Sequence, residues 1–296
     1  MNFDAVNKQS IAANWLTIKG ITLDVLRLDK IHTVVSGNKY FKLKYYLEKA
    51  ASENKKEIAT FGGAWSNHIV ATAFACKEAG FTSIGFIRGE KPATLSNTLQ
   101  TALDYGMQLH FVTREEYRSK DNIKIKYNQK DVFWIGEGGY GVTGAKGAAE
   151  ILKLAEPESY THIIGAVGTG TMLAGFISSA KSHQQVIGIS SMKGNVALME
   201  EIKALTAPGE SCNSYRLFHD YHFGGYGKHP KELLAYINSV YENYALPLDI
   251  VYTGKTFFAI EDLVRKDFFP EGSKLLMIHS GGLQGNKSLA PKVLAF

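Results

Sequence analysis

The run His162-Ile163-Ile164-Gly165-Ala166-Val167-Gly168-Thr169-Gly170-Thr171-Met172-Leu173-Ala174-Gly175-Phe176-Ile177-Ser178-Ser179-Ala180 reads as strand, turn and helix in one stroke. Its first six residues suit a strand buried on both faces, its centre is a glycine and threonine turn, and residues 172–180 carry small apolar side chains at helical spacing. The same alternation recurs outward from it. Strand-like runs at 58–61, 83–87, 108–112, 132–135, 186–189 and 274–278 are separated by helical patterns at 69–79, 95–105 and 145–154. Alternation of this kind predicts βαβ units and a parallel α/β sheet. There is no internal repeat, low-complexity tract or long linker, so a second domain is expected to be inserted into the first rather than strung after it.

Composition bounds the function classes. The 296 residues are 45% hydrophobic and carry a formal net charge of +5, spread along the chain. The densest basic run, Lys120 to Lys130, is broken by Asp121, Asn122 and Ile123 and reads as a solvated face, not a nucleic-acid surface. Cys76 and Cys212 lie far apart in neither a metal nor a redox spacing, which predicts no disulfide framework and fits a reducing cytoplasm. The opening MNFDAVNKQS lacks the pattern of a secretory signal, and no stretch approaches the roughly 20 apolar residues of a membrane span. A soluble, cytoplasmic chain is expected.

Polar glycine-rich segments follow the strand candidates: Gly62-Gly63-Ala64-Trp65-Ser66-Asn67-His68, Gly136-Glu137-Gly138-Gly139, Gly168-Thr169-Gly170-Thr171 and Ser280-Gly281-Gly282. In open parallel sheets ligands bind at the carboxyl ends of strands, so four such loops predict one shared crevice. The free N–H groups, threonine hydroxyls and helix dipole at 168–171 suit a phosphate. Leu173 stands where a dinucleotide fingerprint needs its third glycine, and Ser190, Ser191 and Met192 stand downstream in place of a ribose-binding carboxylate. An isolated monophosphate fits better. Gly254-Lys255-Thr256 resembles the end of a P-loop, but Asp249 holds the place of its first glycine. The nine histidines show no metal-ligand spacing, and His219 and His222 read as loop residues.

Ser36-Gly37-Asn38-Lys39 runs into the amphipathic segment Tyr40 to Leu47, which places Lys39 on the first turn of a helix. Backbone N–H groups there favour a neutral amine, the form needed to condense with an aldehyde. Ser36-x-x-Lys39 also matches the acylating-serine motif, so acyl transfer at Ser36 or Ser66 is an alternative, although such enzymes are not built from βα units. A phosphate cradle, a nucleophilic lysine and a hydroxyl-rich loop together suggest pyridoxal 5'-phosphate, the electron sink for carbanion chemistry. A non-catalytic amino-acid or phosphate-binding domain is the alternative of another class.

The segments SGNKYFKLKYYL, FGGAWSNH, VGTGTMLAG, VYTGKT and HSGG occur in an order and spacing that resembles the fold-type II, tryptophan synthase β-like pyridoxal-phosphate enzymes. More narrowly, the chain resembles the 1-aminocyclopropane-1-carboxylate deaminase and D-cysteine desulfhydrase family. That resemblance implies an α/β, two-domain fold with parallel-rich twisted sheets flanked by helices. The larger cofactor domain would comprise 1–42 plus 148–296, and the smaller inserted βα domain 43–147, with a homodimer usual. It implies that Lys39 carries the cofactor and that Lys42 helps neutralise its phosphate. Gly168, Thr169, Gly170 and Thr171 would form the phosphate cup. Ser66, Asn67 and His68 would bind the substrate carboxylate, with Asn67 also reaching the cofactor. Tyr226 and Tyr252 match two active-site tyrosines.

Two further positions separate the members. Deaminases of the family carry a glutamate where this chain has Thr253 and a leucine where it has Ser280, whereas desulfhydrases carry hydroxyl residues at both. A carboxylate keeps the pyridine nitrogen protonated and suits ring opening; a hydroxyl suits α-proton loss followed by departure of a thiolate. The resemblance therefore implies α,β-elimination from a small amino acid, D-cysteine giving pyruvate, ammonia and sulfide, with cyclopropane ring opening as the alternative. Phe41 replaces the arginine usual in the deaminases, which suggests an outlying subgroup.

Overall fold

The structure is a computed structural model that describes residues 1–127, 130–206 and 215–296. Its strands are β1 (Lys8–Ser10), β2 (Thr22–Arg27), β3 (Glu57–Gly62), β4 (Thr82–Arg88), β5 (Met107–Val112), β6 (Val132–Trp134), β7 (His162–Val167), β8 (Gln185–Ser190), β9 (Tyr215–Phe218) and β10 (Lys274–His279). Its helices are α1 (Asn14–Thr17), α2 (Asn38–Ser52), α3 (Asn67–Ala79), α4 (Asn97–Asp104), α5 (Lys120–Lys126), α6 (Val142–Ala149), α7 (Thr171–Ser179), α8 (Leu198–Lys203), α9 (Lys231–Tyr244) and α10 (Thr253–Arg265).

Two sheets form. One has the order β1-β2-β10-β7-β8-β9, parallel except for the antiparallel β1–β2 edge. The other, β5-β4-β3-β6, is parallel throughout. In the larger sheet, successive residues enter opposite cores: Leu276 and Ile278 pack with α6 and α7 residues, Leu275 and Met277 with α1, α9 and α10 residues. Both faces are therefore covered, which is why its central strands are continuous apolar runs and not alternating ones.

Each of the seven strands and five helices expected from the sequence forms, with one adjustment: α6 stops at Ala149 and continues as a 3-10 turn over Glu150–Leu154. The strands β1, β2 and β9 and the helices α1, α5, α8, α9 and α10 escaped the sequence reading. The basic run is not a uniform solvated face, because 120–126 is helical and Lys120 turns towards the crevice described below. Cys76 is buried with a free thiol; Cys212 lies outside the described residues. Among the described residues no helix is long and apolar enough to cross a membrane, and no group of His, Cys, Asp and Glu could hold a metal ion.

Candidate active site

The carboxyl ends of both sheets open on one cavity of about 720 Å³. From the smaller sheet come Gly63 to His68 after β3, Arg88 at the end of β4, Tyr117, Arg118 and Lys120 after β5, and Glu137 and Gly138 after β6. From the larger come Gly168 to Gly170 after β7, Met192 after β8, Tyr226 after β9 and Ser280 to Gly282 after β10. Sheet order, not sequence proximity, brings these loops together.

Lys39 reaches the cavity because the chain makes a tight approach just before α2. Gly37 sits at φ 80°, and a Cβ there would lie 1.8 Å from the Ser280 carbonyl oxygen, so only glycine lets the two loops touch. The Gly37 N–H donates to Leu28 O at 2.9 Å and the Asn38 N–H to Ser280 O at 3.2 Å, fixing the first turn of α2. Lys39 Nζ donates to Asn38 Oδ1 at 2.8 Å. Burial lowers its pKa to about 8, against a smaller upward pull from Asp249. The expected neutral-leaning amine is present, but its cause is desolvation rather than the helix terminus. Lys42, one turn on, is 4% exposed and has only a long contact, 3.5 Å, from Nζ to Gly138 O. Burial and then the charge of Lys39 hold its pKa well below the ordinary lysine value.

Ser66 caps α3, its Oγ accepting the Ile69 N–H at 3.4 Å. That leaves the N–H groups of the first turn, at Asn67 and His68, without intrahelical partners and pointed where an anion can bind. Asn67 Oδ1 is buried with no hydrogen-bond partner. The His68 side chain departs from its expected part in holding a carboxylate. Thr60 Oγ donates its hydrogen to Ile135 O at 2.9 Å, so it must accept from His68 Nε2–H across the 2.8 Å contact. Burial depresses the His68 pKa, so the ring is neutral and Nδ1 is a bare acceptor, itself buried and unpartnered. A lone pair repels a carboxylate; only the backbone of His68 suits that ligand.

On the other wall, Gly170 in the left-handed region caps α7 and leads the loop 168–170 past the cavity. Thr169 and Thr171 hydroxyls bond to each other at 3.0 Å, with Thr169 lining the cavity and Thr171 buried behind it. A Cβ on Gly168 would come within 3.2 Å of the Tyr252 hydroxyl, so this glycine makes room for that ring. Tyr252 and Tyr226 meet edge to face at 6.0 Å, Tyr226 at the exposed mouth. Burial, and then the neighbouring Tyr226, push the Tyr252 phenol well above its ordinary pKa.

Ser280 lines the cavity, but Thr253 does not, which corrects its reading as a cofactor contact. The Thr253 hydroxyl donates to Asp249 Oδ2 at 2.6 Å and accepts the Asp249 N–H at 2.7 Å. Asp249 Oδ1 also accepts the N–H groups of Val251 and Tyr252, and Oδ2 that of Thr253, each at 2.8 Å. This buried carboxylate thus caps the start of α10 and sets Tyr252 in place; the sequence reading noticed it only as a missing glycine. Lys255 is likewise no phosphate ligand. Its buried Nζ donates to His222 O and Gly225 O, both at 2.9 Å, and so anchors the loop that carries Tyr226. Burial lowers its pKa to about 8. Ser36 Oγ accepts the Gly282 N–H at 3.4 Å and has no hydrogen bond to Lys39, which does not favour an acylating serine.

A family model described as "Pyridoxal-phosphate dependent enzyme" matches residues 25–281. The chain belongs to that family. A Thermotoga maritima relative, "Putative 1-aminocyclopropane-1-carboxylate deaminase", is 30% identical, covering 90% of this chain and 90% of its own. The Arabidopsis thaliana "Bifunctional D-cysteine desulfhydrase/1-aminocyclopropane-1-carboxylate deaminase, mitochondrial" is 27% identical over 90% of this chain and 73% of its own. A solved "ACC deaminase homologue" is 27% identical with a TM-score of 0.80, covering 95% of this chain and 90% of its own. Within the family, the chain is of the 1-aminocyclopropane-1-carboxylate deaminase and D-cysteine desulfhydrase group, with the tryptophan synthase β-like fold.

The cofactor of the family is pyridoxal phosphate, and the residues present fit it. Two mutually repelling buried lysines need an anion, the 168–170 loop at the α7 terminus offers N–H groups to one, and the Asn67 amide has unspent hydrogen-bonding capacity. Arg88, Tyr117, Arg118, Lys120 and Glu137 also line the cavity and were not singled out from the sequence as site residues. Only Glu137 stands in a segment the sequence marks, the glycine-rich loop 136–139.

Proposed function

We propose that the protein catalyses α,β-elimination on a small amino acid, D-cysteine foremost, giving pyruvate, ammonia and sulfide. The observation that carries this reading is the wall's shortage of carboxylates. Among the described lining residues Glu137 alone is acidic, and Lys120 pairs with it at 3.0 Å, while Asp249 is spent on backbone N–H groups. Ser280 supplies a hydroxyl instead, which supports a weaker electron sink than ring opening requires.

When bound, the cofactor supplies the electron sink that makes the α-proton acidic. The chain supplies the rest. Lys39 holds the cofactor and, once released, takes the α-proton on Nζ; a pKa near 8 suits that base to neutral pH. Backbone N–H groups of Asn67 and His68 hold the substrate carboxylate, and Ser66 keeps that turn in place. Lys42 and the 168–170 loop balance the phosphate charge. Tyr252, set by Asp249, and Tyr226, held by the Lys255 loop, face the reacting region. The net change is cysteine plus water to pyruvate, ammonium and hydrogen sulfide, with the Cβ–S electron pair leaving on sulfur.

A second reading is ring-opening deamination of 1-aminocyclopropane-1-carboxylate, the activity printed in the names of the Thermotoga and Arabidopsis relatives. Assays of sulfide and pyruvate from D- and L-cysteine, run beside 2-oxobutanoate from the cyclopropane substrate, separate the two. Turnover of the cyclopropane with none of either cysteine overturns the elimination reading. The proposal includes residues 43–147 as a smaller domain closing on 1–42 plus 148–296, and a homodimer, checked by light scattering.

A further inference from the structure

The cavity has a second polar centre that elimination from cysteine does not use. Arg88, Tyr117, Arg118 and Lys120 line its mouth from the carboxyl ends of β4 and β5. Lys120 Nζ lies 4.6 Å from the Tyr117 ring centroid and is balanced by Glu137. Arg88 and Arg118 have no acidic partner within salt-bridge distance among the described residues. Tyr117 is 5% exposed, with its hydroxyl buried on the Glu137 side of the wall. Glu137 lies beside that phenol as a hydrogen-bonding carboxylate, with Arg88 as the opposing positive charge. Two guanidinium groups without an acidic partner among the described residues, both on the wall of the cavity whose inner lysines would hold the cofactor, make a site for an anion.

We propose that this mouth is a second recognition subsite, which takes a negatively charged group carried on the β-substituent of the amino-acid substrate. The inference deepens the elimination reading and rests on it for turnover. The substrate class is an amino acid whose leaving group X bears a sulfonate, phosphate or carboxylate. Water and X–CH2–CH(NH3+)–CO2− then give pyruvate, ammonium and HX: the α-proton goes to Lys39 Nζ, the Cα–H pair forms the new carbon–carbon π bond, and the Cβ–X pair leaves with X. No oxidant is needed.

Binding to the holoenzyme separates this idea from the elimination reading. Calorimetry compares D- and L-glutamate, which carry a second carboxylate and no β-leaving group, with 2-aminobutanoate, the neutral counterpart. Glutamate of one hand should bind about tenfold tighter at low salt, the advantage shrinking as ionic strength rises. The pair Arg88→Gln with Arg118→Gln should abolish the advantage, and Arg88→Lys with Arg118→Lys should retain part of it. Lys266→Gln, outside the cavity wall, should leave it intact. In turnover, kcat/KM for S-sulfocysteine over that for cysteine should follow the same order. Equal binding of glutamate and 2-aminobutanoate, or an advantage that survives loss of both arginines, overturns the subsite. Tight glutamate binding without elimination from any cysteine derivative sustains the subsite and overturns the elimination reading instead.

Discussion

The inner end of the cavity and its mouth are made by different means. At the inner end, Lys39, Lys42, Asn38 and Ser280 are half-buried or buried, and the loops carrying them touch so closely that a methyl group on Gly37 would collide with backbone. At the mouth, Arg88, Arg118 and Tyr226 are exposed side chains on loops of both sheets. Burial gives the inner end its chemistry, because it drives the Lys39 pKa to about 8 and leaves polar atoms of Asn67 and His68 unspent. Charge and exposure give the mouth its selectivity. A rigid inner end with an adaptable mouth is how one fold keeps a cofactor while changing substrates.

Substitutions break the comparison in a graded way. Lys39→Ala should cost about a thousandfold in turnover, the largest effect, measured as sulfide release with cofactor in excess. Asp249→Ala strips the acceptor from three backbone N–H groups and the Thr253 hydroxyl, and should lower unfolding stability by about 3 kcal/mol in a urea titration. Lys255→Met removes both tethers of the 222–225 loop but also a costly buried charge, so about 1 kcal/mol of stability is expected, together with a raised KM as Tyr226 loses its anchor.

A further effect is one of pH. In the cofactor-free protein Lys39 and Lys255 release their protons near pH 8, whereas the unfolded chain keeps them to about the ordinary 10.5. The unfolded state therefore binds more protons in that window, and stability should rise with pH from about 8 towards 10.5, where the raised tyrosines begin to oppose it. The slope is at most three protons, because Lys42 too is held well below its ordinary value, and cofactor loading should remove the Lys39 share. Denaturant midpoints of apo- and holoprotein at pH 8 and 9.5 check it.

The contrast also explains what the sequence revealed. The inner end was legible because its parts are contiguous: Ser36 to Lys39, Ser66 to His68 and Gly168 to Thr171 each join a turn to a helix start, and turn chemistry is local. Strands β3 to β8 and β10 were legible as apolar runs, whereas β1, three residues on an edge, and β2, interrupted by Asp24, were not. Most of the mouth was illegible because Arg88 ends β4 while Tyr117 and Lys120 follow β5, and they meet Glu137 of the 136–139 loop only through the order β5-β4-β3-β6. Thr253 misled for the opposite reason. Its motif was right, but its hydroxyl is spent on Asp249, a pairing between residues four apart that only the buried turn makes visible.

The central claim is that Lys39, among three lysines with lowered pKa values, two of them lining this cavity, holds the cofactor. Borohydride reduction of the holoenzyme fixes the cofactor to whichever amine carries it, and peptide mass mapping then reads the position. The label should fall on the peptide containing Lys39 and vanish from the map of Lys39→Ala. A label on Lys42 or Lys255, or one that survives Lys39→Ala at full occupancy, would contradict the account.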